Sequence, residues 1–259
     1  MPTVQELYEL WAADSNLREE LDRSLEPRGA EWLFELYASL GPSAGERLLD
    51  VGARDARHAI RLERDHSLQV TALDPVLLHC EVARQAVAAA GADVAVVQGR
   101  AEELPFPDAS FEWIWCRDVL SHVDVEPALA EFARVLTPGG AAVVYVTVPT
   151  ELLEPREAAQ LADAVALTLH TAADIERAAT EAGLAQVQVD ELGTEWRERM
   201  LEDDEWDARV DLLRLARLRR GGFEGTAAEA AWGGLVWGIY QLLGKLCPTV
   251  YVWSKTSSA

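Results

Sequence analysis

The chain has 259 residues, 49% of them hydrophobic, and a formal net charge of −21 from 44 acidic and 23 basic side chains. That length supplies one large α/β domain whose core needs no disulfide staples. The acidic balance argues against nucleic acid or an anionic membrane as partner, because a polyphosphate would be repelled.

No apolar run approaches the roughly 20 residues of a membrane span, and the amino terminus lacks a basic stretch followed by an apolar one. Cys80, Cys116 and Cys247 are odd in number and sit in apolar surroundings, which reads as reduced core thiols rather than a disulfide frame or metal site. The expectation is a cytoplasmic protein that is not exported.

Taken in order, residues 3–40 read as helices, with Leu7, Leu10 and Trp11 on one apolar face and Leu33, Leu36, Tyr37 and Leu40 on another. They either cap a pocket or cover one edge of the sheet. Gly41 to Gly45 closes that segment. Residues 47–75 then give an apolar run (Leu48, Leu49, Val51) leading into Asp50 and Gly52, a helical pattern with Ala56, Ala59, Ile60 and Leu62, and a second apolar run ending on Asp74. Strand, turn, helix, strand, acid is the layout of a nucleoside-type pocket: a helix N-terminus with free N–H groups, and an acid for ribose hydroxyls.

A helix follows Asp74-Pro75 and stops at Gly91, where a third strand, Val94–Val97, begins. Phe111 to Asp118 reads as a fourth strand with both faces apolar, as a central parallel strand should be. Asp124 caps the next helix, whose stripe is Leu129, Phe132, Ala133 and Leu136; Thr137-Pro138-Gly139-Gly140 stops it before a fifth strand, Ala141–Val148. Thr171–Ala182 is a helix, Ala185–Leu192 a sixth strand with Val187 and Val189 inward, and Val250–Trp253 the last strand. Between Glu195 and Gly244 the pattern is mostly helical and rich in tryptophan, and only the tail from Lys255 to Ala259 reads as disordered.

Of the dinucleotide fingerprint G-x-G-x-x-G, Gly52 alone survives in Gly52-Ala53-Arg54-Asp55-Ala56-Arg57, which argues against NAD(P). The run Asp50-Val51-Gly52-Ala53-Arg54-Asp55-Ala56 resembles motif I, D/E-x-G-x-G-x-G, of the class I S-adenosylmethionine (SAM)-dependent methyltransferases. Gly99-Arg100-Ala101-Glu102-Glu103-Leu104-Pro105-Phe106 is similar to that family's G-D-A-E-x-L-P-F, and the segment from Phe111 through His122-Val123 to Leu136-Thr137-Pro138-Gly139-Gly140 is similar to its later motifs. The sequence departs from the family at Arg54 and Ala56, which replace two glycines, and at Arg100, which replaces the adenine-binding acid.

The resemblance implies a Rossmann-like class I methyltransferase fold. It is an α/β architecture with a seven-stranded, mostly parallel sheet, an antiparallel last strand and a helical cap. It also implies an order of parts: an amino-terminal helical cap segment over 1–44, the core over 45–193, a helical, substrate-capping insertion over 194–248, and the last strand and tail over 249–259. By the same resemblance, SAM would be held by Asp50, Gly52, Ala53, Asp74, Pro75, Arg100, Ala101 and Glu102.

Arg54, Arg57 and Arg100, expected near the carboxyl ends of adjacent strands, are candidates for gripping a carboxylate, or else they pair with Asp55, Asp74, Glu102 or Glu103 and fill the pocket. Arg117, Trp196 and Tyr240 are further substrate-binding candidates, the aromatic residues alternatively being core. His122 and Asp118, after the fourth strand, are the catalytic candidates, since an imidazole or a carboxylate there can take a proton. His58, His79 and His170 show no partner in sequence and read as structural or exposed.

Nothing resembles a metal cluster, a phosphate-binding loop or a Ser-His-Asp arrangement. The functional expectation is a SAM-dependent methyltransferase of a small molecule in bacterial secondary metabolism. The alternatives are an enzyme of the same fold that performs a cyclisation, condensation or rearrangement of an acidic or aromatic compound, and a non-catalytic binding protein with a collapsed pocket.

Overall fold

The computed structural model describes residues 30–165, 167–192, 208–222 and 225–256. The expected face of Leu7, Leu10 and Trp11, and the site candidate Trp196, lie outside them. Seven strands form one sheet in the order β3-β2-β1-β4-β5-β7-β6: β1 (Arg47–Val51), β2 (Gln69–Asp74), β3 (Val94–Gln98), β4 (Phe111–Arg117), β5 (Leu136–Pro149), β6 (Leu184–Glu191) and β7 (Leu246–Lys255). β1 pairs in parallel with β2 and β4, β2 with β3, and β4 with β5. β7 runs antiparallel to both β5 and β6. The mostly parallel sheet with an antiparallel last strand is as the sequence implies, and the structure adds that β7 inserts between β5 and β6.

Helices cover both faces because strands buried on both sides need apolar partners on both. On one face α1 (Ala30–Ser39), α2 (Arg57–His66) and α3 (Leu77–Ala90) pack through Leu33, Tyr37, Ala59, Leu62 and Ala83 onto Leu48, Val70 and Trp115. Phe34 stacks on Trp115 with ring centroids 5.2 Å apart, so α1 covers the sheet face. On the other face α4 (Val125–Val135) and α6 (Ala172–Glu181) bury Leu129, Phe132, Ile175 and Ala179 against Leu49, Ile114 and Val144. α6 begins in a capping box, with Thr171 and Asp174 each accepting the other's backbone N–H. A third apolar cluster joins α5 (Pro155–Val165), which has no counterpart among the expected elements, to α7 (Ala208–Arg220) and α8 (Thr226–Leu242). There Gly233 lets α8 lie close on α5, since a Cβ would fall 2.4 Å from Val165 Cγ1.

Four local expectations are corrected. Asp124 occupies the N-cap of α4, but its side chain makes no capping bond. Thr137 to Gly140 do not separate helix from strand: β5 starts at Leu136, opposite Phe111, and a register shift absorbs the glycines before Ala141 meets Trp113. Val187 and Val189 are 59% and 41% exposed; the register shift between Gln186 and Gln188 turns them outward. Lys255 is not tail but the last residue of β7, its Nζ donating to the carbonyls of Leu136 at 2.7 Å and Arg134 at 3.3 Å.

All three cysteines are unpaired, Cys80 and Cys116 fully buried and Cys247 partly so. Among the described residues no helix is long and apolar enough to cross a membrane, and no group of three or more His, Cys, Asp or Glu side chains is placed to hold a metal.

Candidate active site

The order β3-β2-β1-β4 reverses direction between β1 and β4, and ligands of open α/β sheets bind at that switch point, beyond the strands' carboxyl ends. A cavity of about 620 Å³ opens there. Its walls come from the turn after β1 (Asp50 to His58), the end of β2 and start of α3 (Asp74 to His79), and the turn after β4 (Arg117 to Val123).

The β1–α2 turn keeps a glycine-loop backbone without its glycines. Gly52, Arg54 and Ala56 have φ of 76°, 50° and 60°, the left-handed region that costs a non-glycine residue roughly 1–2 kcal/mol. Asp118 shares this conformation at φ 56°, so three of the five left-handed non-glycine residues among the described ones belong to turns around one cavity, as strain tends to cluster at functional sites. Gly52 is required sterically as well, because a Cβ would fall 2.3 Å from Val119 Cγ2.

One N–H of the helix N-terminus is engaged by a side chain. Asp55 Oδ1 accepts the Arg57 N–H at 3.3 Å, and in the turn before the helix Gly52 and Ala53 both donate to the Leu73 carbonyl. Asp55 thus places a carboxylate at the dipole end that a phosphate would seek.

Asp50 is 3% exposed, and its Oδ2 has no hydrogen-bond partner. Burial pushes its pKa up to about 7, against the pull of nearby Arg117. Asp74, at the tip of β2, accepts the Arg54 N–H on Oδ2 (3.0 Å), and the Val76 N–H (2.9 Å) and His79 Nδ1 (3.0 Å) on Oδ1. At the third wall Arg117 Nη1 donates to His58 Nε2 at 2.7 Å. Burial, then Arg117 and Arg57, hold the His58 pKa down at about 3, so this imidazole is a neutral acceptor that adds no charge.

The cavity therefore gathers Asp50, Gly52, Ala53, Arg54, Arg57, Asp74, Pro75, Arg117, Asp118 and His122 from among the candidates. Arg57 is bound to Asp55 by its side chain, with Nη2 to Oδ2 at 2.9 Å. Arg100, Ala101 and Glu102 do not line it: Arg100 is 71% exposed and pairs with Glu102, and Ala101 is in the core. Tyr240 stands apart too, packed in the α5–α7–α8 cluster under the Lys245 ammonium. His58 and His79 are wall residues that sequence reasoning missed, whereas His170, bonded to the Val123 carbonyl, is structural. An open cavity rather than one filled by Arg54 and Arg100 gives the collapsed-pocket alternative no support.

A sheet of this order with its cavity at the switch point defines a Rossmann-like α/β protein. Residues 49–144 match the family model described as "Methyltransferase domain". The 27-O-demethylrifamycin SV methyltransferase of Amycolatopsis mediterranei (strain S699) is 35% identical over 133 residues, 50% of this chain and 46% of that one. Methyltransferase GfsG of Streptomyces halstedii is 35% identical over 115 residues, 43% of this chain and 41% of that one. The matched stretches thus span less than half the length of these relatives.

Among solved structures, a protein from Galdieria sulphuraria described as a sarcosine dimethylglycine methyltransferase shares the fold at TM-score 0.72 and 21% identity, covering 88% of this chain and 86% of that one. The [4+2]-cyclase SpnF does so at TM-score 0.65 and 22% identity, covering 83% and 76%. The sequence similarity is thus to methyltransferases and is confined to about half of the chain or less, whereas the likeness of fold extends over most of it.

Proposed function

We propose that the protein transfers a methyl group from SAM to a small molecule in secondary metabolism. The observation that carries this reading is Asp50, a buried carboxylate on the cavity wall with an unanswered oxygen. Such an atom is costly to leave unmatched, and the ammonium group of SAM is a donor of the right charge for it.

The rest of the cavity fits the same ligand. Its volume of about 620 Å³ lies within the range of small-molecule sites, and the turn after β1 keeps the backbone that the lost glycines would adopt. Asp74 uses three of roughly four acceptor positions, which leaves capacity for a ribose hydroxyl. Pro75 and Val76 offer apolar surface to the base. The names of the relatives, a rifamycin methyltransferase among them, support secondary metabolism as the setting.

When bound, SAM supplies an electrophilic methyl group. The chain's part is to fix the two reactants, keep water from them and remove a proton. Asp50 and Asp74 hold the cofactor, Val119 and Val123 present apolar wall beside them, and Asp118 or His122 takes the acceptor's proton.

Calorimetry with SAM and S-adenosylhomocysteine tests this. Binding by the parent and a loss of at least tenfold in Asp50→Ala are expected; no binding by folded protein at millimolar ligand sinks the proposal. The repurposed-enzyme reading draws on the Arg54 and Arg117 side chains at the cavity, and turnover of an acceptor without SAM would favour it.

A further inference from the structure

Asp74 has room for one more hydrogen bond, not two. A carboxylate oxygen accepts about two. Oδ1 already holds both of its donors, the Val76 N–H at 2.9 Å and His79 Nδ1 at 3.0 Å, whereas Oδ2 holds only the Arg54 N–H at 3.0 Å. The position left over is on Oδ2. A ribose presents two neighbouring hydroxyls, so Asp74 can answer one of them and the other needs an acceptor from a different residue.

His79 is placed to supply it. Asp74 ends β2, Val76 takes the N-cap of α3 without a side-chain cap, and His79 lies in the first turn of that helix. The imidazole is therefore brought back to the acid and lines the cavity together with Asp74, Pro75 and Val76. Because a carboxylate only accepts, the proton of the Asp74–His79 bond is on Nδ1, and Nε2 of the neutral ring is left as an acceptor. That nitrogen makes no hydrogen bond among the described residues, and the side chain is 40% exposed. Arg100 and Glu102, also candidates for holding the cofactor, do not line the cavity, so polar contacts to a nucleoside fall to this corner of it.

We propose that His79 is a cofactor-binding residue, its Nε2 accepting one ribose hydroxyl of SAM while Asp74 Oδ2 accepts the other. This rests on the methyltransferase reading above. Oδ1 is committed to the imidazole, and in return it fixes the tautomer that turns an acceptor toward the ligand. The two side chains thus grip the diol jointly, with one acceptor from each.

The test is calorimetry at pH 8 on the full chain with S-adenosylhomocysteine and its 2′-deoxy and 3′-deoxy analogues, repeated with adenosine and its two deoxy analogues. In the parent, loss of either hydroxyl should weaken binding roughly three- to tenfold, the worth of one hydrogen bond. His79→Asn keeps a donor for Asp74 but has no acceptor at the position of Nε2. It should bind S-adenosylhomocysteine about as weakly as the parent binds one of the deoxy analogues, and it should no longer distinguish that analogue from the full ligand. The penalty for the other hydroxyl should persist. His79→Phe, which also removes the donor, should bind no more tightly than His79→Asn.

Retention of both hydroxyl penalties in His79→Asn overturns the proposal, as does a parent indifferent to either hydroxyl. Loss of both penalties together overturns it as well, because the histidine would then act only by bracing Asp74. If the parent binds adenosine but not S-adenosylhomocysteine, the methyltransferase reading falls, and the same comparison on adenosine decides whether His79 holds a ribose. No binding of either ligand by folded parent overturns both.

Discussion

The Arg54 N–H donates to Asp74 Oδ2 at 3.0 Å, tying the left-handed turn after β1 to the acid at the tip of β2. The bond is made by backbone, so it does not require arginine. Arg54→Gly and Ala56→Gly should each keep it while removing the strain of a side chain at positive φ. Each is expected to raise the unfolding free energy by about 1 kcal/mol, measured by urea denaturation. A loss of stability in both would show that the turn is held by side-chain contacts instead.

Asp74→Ala leaves the Arg54 and Val76 N–H groups and His79 without their acceptor. The expected cost is about 1–3 kcal/mol, the desolvation penalty of unmatched buried groups, together with a fall of tenfold or more in S-adenosylhomocysteine affinity. Unchanged affinity in a destabilised variant would make Asp74 a purely structural knot.

His58 and Asp50, both lining the cavity, predict opposite pH dependences. His58 has its pKa depressed to about 3 from the usual value near 6.5. Between those limits the unfolded chain binds a proton that the native state does not, so stability is lost as pH falls through that window. Asp50 is raised to about 7; the native state holds its proton where the unfolded chain has released it, and that contribution disappears as pH rises from about 4 to 7. His58→Phe should flatten the acid limb of the stability profile, and Asp50→Asn should flatten the decline toward neutrality. Urea midpoints at pH 4.5, 6 and 7.5 read both, and a parent-like slope in either variant contradicts the corresponding assignment.

Arg134 anchors the loop before β4 to α4. Its guanidinium donates to the carbonyls of Phe106 at 2.8 Å and Leu104 at 3.0 Å, to Asp108 and to Glu131, and Glu131 in turn accepts the Leu104 N–H. Arg134→Ala should cost about 2 kcal/mol, in the range of charge-assisted hydrogen bonds, with little effect on cofactor affinity because no part of this network lines the cavity. Thermal unfolding and calorimetry together check it.

What the sequence revealed of the site was its local part. Asp50, Gly52 and Asp74 stand out because an apolar strand, a turn and an acid follow one another along the chain. His58 could not be read in the same way, since its partner Arg117 is 59 positions away and reaches it only because β1 and β4 are neighbours. His79 did carry a signal: an acid ending a strand followed five residues later by a histidine in the first helical turn. Val187 misled because alternation assumes unbroken pairing, and the register shift beside it in β6 breaks that assumption. Tyr240 misled because aromatic residues on the α8 helix serve packing against α5 as readily as they serve a ligand.

The position of β7 has a consequence for how such proteins can be remodelled. The chain leaves the sheet at Leu192, whose N–H bonds to the Pro248 carbonyl at 2.8 Å, and it re-enters at Leu246, paired with Pro149. Departure and return are thus neighbours in space, so whatever lies between them is grafted at a single point on the sheet. A segment joined in this way can be lengthened, shortened or traded for another without shifting any strand, and the loop-closure entropy changes by only about 0.6 kcal/mol for each doubling of its length. Chimeras made at these two points should inherit their sheet from one parent and their appended helices from the other.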